Sequence, residues 1–209
     1  SINSYDIMVM RNKMDNLHYL DLADADVKSN TYDYYTGYST QDDILGPHSF
    51  ADLDKLLTVK LPKSVKYIDQ AFNNCSQLRS VEMPENLIRI GSYHDYEWGM
   101  MDNGAFVDCT NLEEIIFHNC ERIGGDAFNR CNSLKKIILP KNLKHVGSSA
   151  FYGCSNLTKV YTYTVLPINI DQNTFTNFKA TTLYVPTQSY DNYYWSTQWG
   201  QFKEIKEFD

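Results

Sequence analysis

The sequence predicts an α/β repeat solenoid of about seven stacked units of 22–24 residues, with a parallel sheet of short strands, two loop insertions and a C-terminal cap. The first observation is a recurring small residue followed by Phe: Ser49-Phe50, Ala71-Phe72, Ala105-Phe106, Ala127-Phe128, Ala150-Phe151 and Thr174-Phe175. The steps between these Phe residues are 22, 34, 22, 23 and 24 residues, so only one step departs from the period. The second is a fixed set of companions after each Phe. The third is that the departures from the period gather in two compact stretches, 23–44 and 92–104.

Within a unit, three residues after Phe comes Cys75, Cys109, Cys131 or Cys154, with Leu53 in the first such unit and Phe178 in the last. Leu follows at positions 56, 78, 112, 134 and 157. An apolar pair two residues apart comes next: Val59/Leu61, Val81/Met83, Ile115/Phe117 and Ile137/Leu139. Such alternation is the period of a strand with one buried face. Pro62, Pro84 and Pro140 close three of these strands, where a missing N–H costs no ladder bond. Ile90-Gly91, Ile123-Gly124 and Val146-Gly147 form a second apolar element, and Leu45-Gly46 shares its offset. The glycine is expected to permit the turn into the Ala-Phe segment, itself a helical turn or an irregular arc. No unit of this size can bury its apolar side alone, but stacked units share one core, with Phe and Cys each forming an internal ladder.

The whole chain, 1–209, is therefore expected to be one domain. Residues 1–22 hold the first unit, 23–44 an insertion, 45–91 repeats, 92–104 a second insertion, 105–175 further repeats, and 176–209 the last unit and cap. Ahead of the array, Ile7, Met10, Met14 and Leu17 lie at helical spacing and suggest an N-terminal cap. Near the end, Thr162 stands where an inward apolar residue is expected, Pro167 arrives late and Ile170 lacks its Gly, as atypical final units do.

The stretch IGGDAFNRCNSLKKIILPKNLKHVGSSAFYGCSNL, Ile123 to Leu157, resembles the BspA-like leucine-rich repeat of surface and secreted proteins from anaerobic bacteria. MDNLHYLDLADADV (Met14 to Val27) is similar to an opening repeat of such arrays, and TLYVPTQSYDNYY (Thr182 to Tyr194) to their closing segment. The resemblance covers nearly the whole chain and implies a right-handed leucine-rich-repeat solenoid. It further implies an extracellular or surface-anchored binding or adhesion module, any targeting signal lying upstream of Ser1.

Composition narrows the function classes. Hydrophobic residues make up 43%, enough for a continuous core. The formal net charge of −7 leaves no basic face for phosphates, which argues against nucleic acid. No apolar run approaches the roughly 18 residues that span a bilayer. A monomer without a cofactor is expected.

Nothing in the sequence carries catalysis. Four of the five cysteines share one repeat position, so they stack instead of converging as zinc ligands do, and Cys120 lies outside the ladder. Their expected role is as buried, reduced packing residues. Asp24, Asp26, Asn30 and Asp33 loosely follow a calcium loop, but Lys28 occupies a ligand position and the Gly and distal Glu are missing. His18, His48, His94, His118 and His145 fall at unrelated repeat positions, with no G-x-S-x-G elbow. Glu113 and Glu114 are strand neighbours facing opposite ways; His94, Asp95, Glu97 and Asp102 read as a solvated loop. No enzyme is expected.

Binding is the better expectation. The residue between each inward pair faces outward on the expected concave sheet: Asp21, then Lys60, Glu82, Ile116, Ile138, Tyr161 and Tyr184. This stripe is charged toward its N-terminal half and apolar toward its C-terminal half. Exposed aromatics on a rigid sheet anchor protein partners well. The alternatives are a glycan-binding module, with Tyr34, Tyr35, Tyr93, Tyr96 and Trp98 of the insertions as sugar platforms, or a structural spacer of a larger surface protein.

Overall fold

The computed structural model describes residues 1–91 and 104–209. The chain opens with helix α1 (Ser4–Lys13), then β1 (Tyr19–Asp21), the hairpin strands β2 (Asp33–Tyr35) and β3 (Tyr38–Ser39), and β4 (Ile44–Leu45). Three-residue and two-residue strands then alternate: β5 (Thr58–Lys60), β6 (Tyr67–Ile68), β7 (Ser80–Glu82), β8 (Arg89–Ile90), β9 (Glu114–Ile116), β10 (Arg122–Ile123), β11 (Lys136–Ile138), β12 (His145–Val146) and β13 (Lys159–Tyr161). The chain closes with β14 (Thr182–Pro186), the short helix α2 (Tyr190–Tyr194) and β15 (Glu204–Phe208). No helix among the described residues is long and apolar enough to cross a membrane.

The result is a parallel-sheet solenoid of about seven turns with little helix. The longer strands form two parallel four-stranded sheets, β1-β5-β7-β9 and β11-β13-β14-β15. The two-residue strands form a second layer, β4-β6-β8-β10-β12, which runs unbroken. Each longer strand buries its central residue, as Val59, Val81, Ile115, Ile137 and Val160 do, while the next residue faces out. Proline closes these strands by starting a turn: the carbonyls of Pro62, Pro84 and Pro140 accept from the N–H groups of Val65, Leu87 and Leu143.

The Ala-Phe segments are turns, and their hydrogen bonds run between units. The N–H groups of Phe50, Phe72, Phe106 and Phe128 donate to the carbonyls of Ala71, Ala105, Ala127 and Ala150, each at 2.8 Å. A small side chain lets consecutive turns approach closely enough for that bond. The Phe rings stack beneath it with centroids 5.4, 5.1, 5.3, 5.5 and 5.2 Å apart from Phe50 to Phe175, in the separation range of offset aromatic pairs. Two residues beyond each Phe from Phe50 to Phe151 the backbone turns left-handed, at Asp52, Asn74, Asp108, Arg130 and Gly153.

The glycine that follows β4, β8, β10 and β12 does more than permit a turn. At Gly147 the backbone φ is ordinary, but an added Cβ would lie 2.4 Å from the Gly125 nitrogen. Stacked backbones leave no room for a side chain there.

Both ends are capped. Asn3 and Asp6 form a reciprocal capping box at the start of α1, which buries Ile7 and Met10; Met14, at the same helical spacing, is exposed. The first insertion belongs to this cap. β2 packs against α1, Ile2 pairs with Val27, and the Ser4 and Thr40 hydroxyls meet at 3.1 Å in the interior. At the other end Phe178, Tyr193, Trp199 and Phe202 close the core over Phe175.

Candidate functional site

Strand register brings the outward stripe into rows. Asp21 is opposite Lys60, Lys60 opposite Glu82, and Glu82 opposite Ile116. Past the sheet break, Ile138 is opposite Tyr161, Tyr161 opposite Tyr184, and Tyr184 opposite Lys206. Lys206 extends the row by one strand that the sequence pattern did not signal.

The N-terminal half of the stripe is internally paired. Lys60 Nζ lies 3.2 Å from Asp21 Oδ2. The Ala23 backbone N–H, and then Lys60, hold the Asp21 carboxyl below its ordinary value. His118 stands where neighbouring units have Pro, and its Nε2 reaches Glu82 Oε1 at 2.9 Å. A dent of about 120 Å³ lies between Lys60, Glu82 and His118, bounded also by Met83 and Pro84.

The C-terminal half is apolar and open. Ile116 and Ile138 are 40% and 38% exposed, although a centrally facing isoleucine on a strand normally finds cover. Between them the parallel ladder lapses, since β9 and β11 share no strand pairing. A cavity of about 370 Å³ opens there, lined by Ile115, Ile116, Phe117 and Ile138 and edged by Glu113, Glu114, Lys135 and Lys136. Tyr161 and Tyr184 are half-buried and stack at 4.2 Å, and the Phe208 ring meets Tyr161 edge-on at 5.6 Å. Burial and the adjacent Tyr184 raise the Tyr161 hydroxyl above its ordinary value. The cap therefore leaves both rings partly accessible.

The insertion residues fare differently. Contrary to the expectation of an exposed loop ring, Tyr34 is only 3% exposed, and its hydroxyl donates to the Pro47 carbonyl at 2.8 Å. It is a core residue of the N-terminal cap, because β2 carries it inward against α1, and it offers no platform to a sugar. Its neighbour Tyr35 faces out, with the Arg11 guanidinium 4.4 Å from its ring centre and the His48 ring at 4.6 Å. Tyr93, Tyr96 and Trp98 lie outside the described residues.

All five cysteines are buried and unbridged. Four donate in register to the Phe carbonyl of the preceding unit: Cys75 to Phe50, Cys109 to Phe72, Cys131 to Phe106 and Cys154 to Phe128, at 3.1–3.3 Å. Burial pushes the Cys75 and Cys154 thiols up to about 12, far from the depressed values of nucleophilic cysteines. Among the described residues no three His, Cys, Asp or Glu side chains converge as metal ligands.

Six copies of the BspA type leucine-rich repeat region match the chain, over residues 41–97 and 99–197. Among solved structures, a leucine-rich repeat protein of T. pallidum is similar at 26% identity and a TM-score of 0.51, covering 78% of this chain and 62% of its own. The pneumococcal vaccine antigen PcpA matches at 21% identity and a TM-score of 0.56, over 93% of this chain and 57% of its own. A leucine-rich repeat protein from Bacteroides ovatus shares 18% identity at a TM-score of 0.50, over 80% and 47%. The chain thus spans about half to three-fifths of the length of these structures. No curated protein matches it.

Proposed function

Because this chain belongs to the BspA-type leucine-rich-repeat family, we propose that it is a non-catalytic binding module, displayed at the cell surface or secreted, that receives a protein partner on the outward row of its longer strands. One observation carries the reading: Ile116, Ile138, Tyr161 and Tyr184 form an outward apolar and aromatic row across two abutting parallel sheets, with a cavity between the first two. Protein interfaces concentrate their binding energy in such centrally placed aromatic and apolar anchors, ringed by charge. Here Glu113, Glu114, Lys135 and Lys136 supply the charged rim.

A photo-crosslinking amino acid placed at position 138, with position 13 on α1 as control, tests the reading against a panel of extracellular proteins. The expected result is an adduct from position 138 alone, with affinity reduced at least about tenfold by Ile138→Asp or Tyr161→Ala. A partner that crosslinks equally from both positions, or binds both variants unchanged, refutes it.

A further inference from the structure

The C-terminal cap holds a second concave feature, separate from the strand row. The segment at 162–170 is fastened to the closing segment by side chains: the Tyr193 hydroxyl donates to the Thr164 carbonyl at 2.8 Å, Asn192 Nδ2 to the Val165 carbonyl at 3.1 Å, and Trp199 Nε1 to the Ile168 carbonyl at 2.7 Å. These bonds satisfy the polar atoms of two buried aromatic residues, Tyr193 and Trp199, and fix both walls of a cleft. The cleft has a volume of about 520 Å³, within the roughly 300–1,000 Å³ of small-molecule sites.

One wall of this cleft carries Trp195, which is 79% exposed, the highest value for any large apolar side chain among the described residues. It caps the C-terminal end of α2, where its backbone N–H donates to the Asp191 carbonyl, and the Tyr194 ring meets its indole edge-on at 4.9 Å. Polar side chains with spare hydrogen-bonding capacity share the lining. The Asp191 carboxylate and the Asn169 amide have no protein hydrogen bond among the described residues, and Gln198 uses its carbonyl oxygen on Gln201 while its amide N–H groups remain available.

We propose that this cleft binds a neutral pyranose residue of a glycan, with Trp195 as the platform under the sugar ring. A pyranose has an apolar face of axial C–H groups and a rim of hydroxyls. An indole face meets the former, and planar carboxylate and amide groups meet adjacent hydroxyls as acceptor and donor. The lining sets one exposed ring, Trp195, and the apolar residues Pro167, Ile168 and Ile170 among Asn169, Asp191 and Gln198, a mixture that suits both the C–H face and the hydroxyl rim of a sugar. The site does not depend on the strand-face reading, and the residues involved do not overlap.

Saturation-transfer NMR on the whole chain tests the proposal, using a panel of neutral oligosaccharides of glucose, galactose, mannose and N-acetylglucosamine. Irradiating the aromatic protons should transfer saturation to the ring C–H protons of at least one panel member. Trp195→Ala should abolish that transfer and weaken binding at least about tenfold, Trp195→Phe should retain part of it, and Asp191→Ala should weaken it. Tyr161→Ala should leave it unchanged. An unshifted melting temperature for Trp195→Ala will show that the variant folds, as its exposure implies. Absence of transfer from every sugar, or transfer that survives Trp195→Ala, overturns the proposal. So does a result in which Trp195→Ala impairs only binding of a protein.

Discussion

The Cys131 thiol donates to the carbonyl of Phe106, one unit earlier, at 3.3 Å, and that carbonyl also accepts the N–H of Cys109. The thiol is thus a donor across the unit boundary as well as a packing group. The two roles separate in substitution. Cys131→Ala leaves a cavity and removes the bond, so it should cost about 1–3 kcal/mol in chemical denaturation. Cys131→Ser keeps a donor and should cost less than Ala; a larger loss for Ser would show that the thiol serves only as an apolar filler.

Alkaline pH should unfold the protein by a route that the same residues set. Cys75, Cys120 and Cys154 are raised from an ordinary 9.0 to about 12, and Tyr34 from 10.0 to about 12, in each case chiefly by burial. A raised folded value means that the native state holds the proton more tightly, so its stabilisation is complete below pH 9 and is lost as pH climbs from 9 toward 12. The denaturation midpoint should fall steadily over that window. Thiol reagents at pH 8 should label the native protein far more slowly than the unfolded chain.

Two glycines should respond differently to Ala. At Gly147 a Cβ would press on the Gly125 and Gly124 backbone at 2.4 and 2.7 Å, so Gly147→Ala should cost about 3 kcal/mol or prevent folding. At Gly37 φ is +79° but nothing lies within 4 Å, so Gly37→Ala should cost only the left-handed penalty, about 1 kcal/mol. Thermal melts of the two variants, compared side by side, check the ordering.

Tyr34 distinguishes a cap from a binding loop. Tyr34→Phe should cost about 1 kcal/mol by orphaning the Pro47 carbonyl, and Tyr34→Ala about 3–5 kcal/mol. Binding by any folded variant should be unaltered, which titration with the crosslinked partner will read.

Where period carries the information, the sequence is transparent. Phe50 through Phe175 and the four in-register cysteines announce their stacking because identical units must place identical side chains at identical depth. Lys60, Glu82, Ile116, Ile138, Tyr161 and Tyr184 followed from alternation alone. What the sequence hid lies where the period stops. Tyr34 reads as a loop tyrosine, since nothing local reveals that β2 turns it under α1. Trp195 sits in a run of aromatics, YDNYYW, whose Tyr193 is buried and whose Trp195 is exposed; a five-residue helix gives too little periodicity to separate them. Four of the five left-handed positions, Asp52, Asn74, Asp108 and Gly153, are Asx or Gly, a signal that turn chemistry supplies, while Arg130 carries no such signal.

The lapse between β9 and β11 has a mechanical meaning. Units on either side remain joined by the Phe106–Phe128 stack, the Phe106 to Ala127 backbone bond and the β10–β12 pairing, but the longer strands, though in contact, add no ladder hydrogen bonds there. In a one-dimensional array, stability is a chain of nearest-neighbour couplings, and the weakest coupling sets where cooperativity divides. Under a pulling force or in dilute denaturant, this junction is where the array should part into an N-terminal and a C-terminal block, each protecting its own amides. A binding partner that bridges Ile116 and Ile138 would act as the missing rung, and so would be felt as resistance to unfolding by both blocks at once.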